Sequence, residues 1–301
     1  MTTRSTVLPS PPLPAARPLS GVRVLSLALN LPGPAALMRL AAMGARCTKV
    51  EPPAGDPMDH YARHAYEVMH RGVRGLVLDL KSDQGRAALD KQLARTDVLL
   101  SSFRPSALDK LGLGWKALHK RHPALNLVAI VGSPGERAEE PGHDLTYMAE
   151  NDLVPGTELP PTLYADMGGA LMASEATLQA LMLRARKGGQ GVRIEVALSE
   201  AARWLGLPRA WGLTLPSGSV GGAHAGYRVY PCKDGRVAVA ALEPHFAAAL
   251  CRAAGVEPKT GRAPMMERAT HQAVAAFLAG RTRAQLDALA READLPLHTL
   301  P

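Results

Sequence analysis

Residues 141–169, PGHDLTY followed by a polar insert and LYADMGG, bring two kinds of proton-transfer group close together in the chain. His143 and Asp144 share one loop, and Asp166 heads an apolar run from Ala170 to Leu183. An imidazole, whose ordinary pKa lies near 6.5, and a carboxylate raised by burial can exchange protons with one ligand across a small cavity. The same residues have plainer uses: Asp144 or Asp166 could each do no more than cap the helix that follows it.

Such a cavity needs a scaffold, and the preceding sequence predicts one. Residues 22–29 (VRVLSLAL) read as a strand, 34–45 (PAALMRLAAMGA) as a helix stopped at Gly44, and 46–53 (RCTKVEPP) as a second strand. Strand, helix and strand in so short a span make a βαβ unit with a parallel pair. Residues 76–80, 98–103, 125–131 and 192–198 supply four more strands, and Ser82 is placed to cap the helix after the third. The result is an α/β, Rossmann-like sheet. The first strand-to-helix turn, NLPGPAA, lacks G-x-G-x-x-G, so dinucleotide binding of the fingerprinted kind is not expected. In open parallel sheets the ligand crevice lies at the carboxyl ends of the strands, where Lys81 and Arg104 fall; Arg71 and Arg74 just precede the third strand. Residues 52–70 read as irregular, and His60, His64 and His70 there lack the carboxylate or cysteine pattern of a metal site, so they are expected at the surface. Glu243 stands just before Pro244 at the start of a predicted helix.

Composition narrows the function classes. The 301 residues carry 35 basic and 27 acidic side chains, a formal charge of +8, which favours an anionic partner. Aromatic residues make up only 4% and no stretch interleaves Lys or Arg with exposed rings, which argues against nucleic acid. The basic residues sit singly at element ends, as a phosphate-bearing small molecule or a plain solvated surface would have them. No run of about 18 apolar residues predicts a membrane span. Cys47, Cys232 and Cys251 are far apart, as in a reducing cytoplasm. The expected organisation is a flexible, proline-rich lead over 1–20, a large domain over 21–200, a linker over 201–225 and a small α+β domain over 226–301.

Several stretches in their order resemble the family III CoA-transferases, also called the CaiB/BaiF family: LSGVRVLSLALNLPGPAALMRLAAMGARCTKVEPPAGDP, RGVRGLVLDLKSDQGRAAL and DVLLSSFRPSALDKLGLG. PGHDLTY, YADMGGALMASEATLQALMLRARKGGQG and GYRVYPCKDGRVAVAALEPHF are most similar to its α-methylacyl-CoA racemase branch. The likeness runs from about residue 18 to 300. It implies an acyl-CoA thioester as ligand, no cofactor beyond coenzyme A itself, no metal, and two interlocked chains in a homodimer. It also implies that Asp166 is the catalytic aspartate, that His143, beside Asp144, is the histidine of the racemase branch, and that Glu243 is a further acid–base glutamate. Arg39, Arg74 and Arg104 become expected contacts of the CoA phosphates.

Inversion at the α-carbon of a 2-methylacyl thioester needs one group on each face, each worth about 10²–10⁴-fold. The enolate oxygen would then be held by a helix N-terminus that Met167, Gly168 and Gly169 open, the glycines admitting the ligand to the backbone. A CoA-transferase needs the aspartate as nucleophile and has no need of the histidine. The segments VGSPGERAEE and AENDLVPGTELPPTLY depart from the family pattern, and the chain ends at Pro301 where relatives continue. A non-catalytic CoA-binding paralogue is therefore a third expectation.

Overall fold

The computed structural model describes residues 17–301, so residues 1–16 of the expected flexible lead lie outside the described residues. The end of that lead is packed: Leu19 is buried and its N–H donates to the Met43 carbonyl. The chain divides into two units, the first up to Gly206 and the second Leu207–Pro301.

The first unit alternates strand and helix: β1 (Arg23–Ser26), α1 (Pro32–Ala42), β2 (Arg46–Glu51), α2 (Pro57–Tyr61), α3 (Arg63–Met69), β3 (Arg74–Val77) and α4 (Asp83–Leu93). Next come β4 (Val98–Ser101), α5 (Pro105–Lys110), α6 (Trp115–Arg121), β5 (Asn126–Val131), α7 (Asp144–Glu150), α8 (Tyr164–Arg186), β6 (Arg193–Ala197) and α9 (Leu198–Leu205). The six strands pair in parallel in the order β3-β2-β1-β4-β5-β6. That is the doubly wound order, whose direction reverses between β1 and β4. Strand residues alternate between two cores, as a sheet covered on both faces requires. Val24, Cys47, Val98, Val128 and Val196 pack with α1 and α8; Leu25, Val50, Leu99 and Leu127 pack with α4 and α6.

The helix after β3 starts as its sequence predicts, with Ser82 Oγ accepting from Gly85 N–H at 3.0 Å. Residues 52–70, expected to be irregular, hold α2 and α3 instead. Pro57 at the first helical position and Asp56 as N-cap were the available start signals. The first turn of α1 lies close on the segment after β1 because Gly33 carries no side chain: a β-carbon there would fall inside contact distance of the Ala28 Cβ. Gly33→Ala is expected to cost about 1–3 kcal/mol of overpacking, read as a lower unfolding midpoint at unchanged secondary structure.

The second unit begins with a short helix, α10 (Leu207–Ala210). The hairpin β7 (Tyr227–Cys232) and β8 (Gly235–Ala240) is followed by α11 (Pro244–Ala253), α12 (Arg268–Ala279), α13 (Arg283–Glu292) and β9 (Leu297–Leu300). The hairpin and β9 form a three-stranded antiparallel sheet, β7-β8-β9. One face packs Tyr230, Val237 and Val239 against Leu250, Val274, Leu278 and Leu286. Thr282 and Gln285 cap α13 reciprocally. Among the described residues no helix is long and apolar enough to cross a membrane.

Candidate active site

At the switch point a cavity of about 190 Å³ opens above the carboxyl ends of β1, β4 and β5. Leu29, Asn30 and Pro32 come from the turn after β1, Ser102 to Arg104 from the turn after β4, and Ile130 to Gly132 from the end of β5. Ser102 Oγ joins two of these turns by accepting from Leu29 N–H at 3.3 Å. His143, Tyr147 and Asp166 also line the cavity.

Helix α7 brings His143 and Tyr147 to the cavity. His143 is its N-cap residue: its N–H donates to Thr146 Oγ1 at 3.1 Å, and that hydroxyl donates back to the His143 carbonyl at 2.8 Å. The ring is exposed to the cavity. Tyr147, one helical turn on, is 6% exposed, and its hydroxyl rests where β-carbons of Gly132 and Gly142 would otherwise stand. Those two glycines are small because the ring needs the room.

Helix α8 opens at Tyr164, three residues before the expected Met167, so Asp166 is a first-turn residue rather than a cap. Asp144 takes the capping part from across the cavity wall. It is 5% exposed, and its Oδ1 accepts from the Asp166 N–H at 2.9 Å. One carboxylate is thereby fixed against the backbone of the other. Burial, and then the neighbouring Asp144 charge, push the Asp166 carboxyl up from 3.8 to about 6, while the His143 imidazole pulls it back down. Burial, and then the Asp166 charge, likewise raise Tyr147 above the usual phenol range.

The Asp166 shift has a consequence for stability. Its folded value lies above its ordinary one, so the fold binds this proton more tightly than the unfolded chain does. That contribution is complete below pH 3.8 and is lost as pH rises through about 6. Asp166→Asn, which never ionises, is therefore expected to unfold at a higher temperature than the parent at pH 8. The difference should shrink toward pH 4 when melting is followed across that range.

The expected oxyanion donors need correction. Met167 N–H already donates to the Leu163 carbonyl at 3.0 Å, and Gly168 and Gly169 lie inside the helix. Both glycines are buried at the seam between α8 and α9. A β-carbon on Gly168 would press on Leu205 and Ala201, and one on Gly169 on Leu198. Their smallness admits a helix rather than a ligand.

The cationic residues are dispersed. Arg104 lines the cavity as the residue before α5. Arg39 is exposed in the last turn of α1, Arg74 is exposed at the amino end of β3, and Lys81 is exposed in the turn after that edge strand. None of these three lines the cavity. Glu243 belongs to the second unit, exposed ahead of α11. Asn30, Ser102, Glu140 and Tyr147 are lining residues that the sequence reading passed over; Tyr147 was recoverable from its four-residue spacing to His143 on a helix. Among the described residues no group of three or more His, Cys, Asp or Glu could hold a metal ion.

Comparison with known proteins assigns the site its family. Residues 19–300 match CoA-transferase family III. The human alpha-methylacyl-CoA racemase is 33% identical over 257 residues, 79% of this chain and 65% of its own length. The succinyl-CoA–D-citramalate CoA-transferase of Chloroflexus aurantiacus is 33% identical over 200 residues, 61% of this chain and 50% of its own. This chain thus spans half to two thirds of the length of these relatives. A solved CAIB/BAIF family protein from Brucella suis shares the fold, with a TM-score of 0.81 at 23% identity, covering 95% of this chain and 84% of that one. A doubly wound sheet with Asp166 at its switch point, matched from residue 19 to 300, places the chain in CoA-transferase family III.

Proposed function

We propose that the chain is an acyl-CoA racemase-like enzyme that inverts the α-carbon of a 2-methylacyl-CoA thioester by two-base proton transfer. The observation that supports this most is that His143 and Asp166 line one cavity. In one direction the Asp166 carboxylate takes the α-proton and the protonated His143 ring gives one to the opposite face of the enolate. In the other direction neutral His143 is the base and the Asp166 carboxyl the acid. A carboxyl near 6 suits both parts, because general acid–base catalysis is best served by a pKa near the working pH. Asp144 keeps Asp166 in place and raises its proton affinity. In this reading Arg104 meets the anionic CoA at the cavity, while Arg39, Arg74 and Lys81 serve phosphates farther out. Glu243 is a further acid–base candidate, coenzyme A is the sole cofactor as part of the substrate, and the working form is a cytoplasmic homodimer.

The second reading is CoA transfer between carboxylic acids, and it draws support from the relatives with that activity. There the Asp166 carboxylate attacks the thioester carbon, the C–S bond breaks, and CoA leaves as the thiolate. The resulting mixed anhydride is then attacked in turn by CoA or by the second acid. Chiral analysis of a single-enantiomer 2-methylacyl-CoA, incubated with and without a free acid, separates the two. Racemisation without the acid supports the first reading; acyl exchange that depends on the acid, with configuration kept, supports the second.

A further inference from the structure

The first unit buries a charged cluster beside the cavity. Lys49 on β2 is 1% exposed and Asp56 is 0% exposed. An ammonium has three donors and no acceptor, and each of the three on Lys49 has a partner. It pairs with Asp56, with Glu51 at 3.1 Å and with His70 Nε2 at 2.9 Å. His70 Nδ1 lies 2.6 Å from the Tyr66 carbonyl, so the ring proton sits there and Nε2 accepts from Lys49. A buried ion pair is weak evidence for stability in itself. What the Asp56 oxygens hold is more informative.

Both Asp56 oxygens accept from the Asn30 N–H, at 3.1 and 3.2 Å, and Oδ1 also accepts from Met58 N–H at 2.9 Å. One carboxylate thus ties the turn after β1 to the first turn of α2. Asn30 is held at φ 63°, in the left-handed region that few non-glycine residues enter. Helix α2 ends at Tyr61, whose hydroxyl donates to Asn30 Oδ1 at 3.4 Å. Asn30 lines the same cavity as Asp166. After burial, the charges of Asp56 and Asp166 both raise the Tyr61 hydroxyl, so this phenol lies within the field of the candidate catalytic carboxylate.

We propose that Asp56, neutralised by Lys49, is a positioning residue that fixes Asn30, with Tyr61 hydrogen-bonded to it, as a preset polar rim of the cavity that Asp166 also lines. Its alignment sets how a ligand in that cavity is presented to Asp166. The inference rests on the proposed function only for its kinetic readout.

The test follows Asp56→Asn by amide hydrogen exchange at Asn30, by ¹³C titration of the Asp166 carboxyl, and by steady-state turnover of a 2-methylacyl-CoA. Expected are faster exchange at Asn30, a displaced Asp166 midpoint, and kcat lowered about 10-fold with KM nearly constant, within the range that ångström misplacement produces. A merely structural Asp56 would lower the melting temperature and leave the Asp166 midpoint and the kcat of folded protein unmoved, which overturns the proposal. Tyr61→Phe and Asn30→Gly leave the buried pair intact, the glycine because it accepts the left-handed backbone at this position, and they decide the matter if Asp56→Asn does not fold. Each should move the Asp166 midpoint and lower kcat without lowering stability; wild-type values in both would overturn it. A parent protein without turnover refutes the activity instead, and the exchange and titration arms still decide this inference.

Discussion

Asp166→Asn is expected to remove turnover of acyl-CoA by about 10²–10⁴-fold, the range for loss of one positioned acid–base group. The amide can neither take an α-proton nor attack a thioester, so the loss is expected for racemisation and for CoA transfer alike. The fold should survive. Asp144 binds the backbone N–H of residue 166 and not its side chain, so the cap on α8 persists in the variant. The neutral amide also removes a negative charge that burial and the neighbouring Asp144 disfavour. An inactive variant that melts no lower than its parent at pH 8 would separate chemistry from scaffold. A variant retaining more than a tenth of parental turnover would remove Asp166 from the mechanism.

His143→Ala is the second large effect, and it is the one that discriminates. Under two-base inversion the imidazole serves one face of the α-carbon, and its loss should cost about 10²–10⁴-fold in racemisation. Under CoA transfer the nucleophile is Asp166, and the variant should keep most of its activity. Structural collateral should be small. The cap at the start of α7 runs through Thr146 Oγ1 and the His143 backbone, both unchanged by the substitution. Parallel kcat and KM values for the two reactions, in parent and variant, supply the measurement.

Much of this site was legible in the sequence because its parts are local. The strand-helix-strand pattern from Val22 to Pro53 reported a parallel sheet, and the positions of turn residues reported where its carboxyl ends lie. The family resemblance then selected His143 and Asp166, which the fold brings to one cavity. What stayed hidden depends on long-range contacts. Lys49 sits in a strand that reads as half polar; its burial depends on partners at Asp56 and His70, 7 and 21 residues away. His70 looked like a surface histidine for the same reason. Gly168 and Gly169 looked like a ligand's approach, and only the packing of α9 shows what fills the space beside them. Strand β9 was missed because four residues, LHTL, carry almost no periodic signal until β8 is there to pair with them.

The central claim is that His143 and Asp166 act on the α-carbon of an acyl-CoA. It is tested most directly by incubating the parent protein with one enantiomer of a 2-methylacyl-CoA in D₂O and following the α-proton by NMR. Deuterium should enter at the α-carbon as the configuration inverts. A thioester that keeps its α-proton and configuration, while its CoA moves to an added carboxylic acid, would contradict the claim.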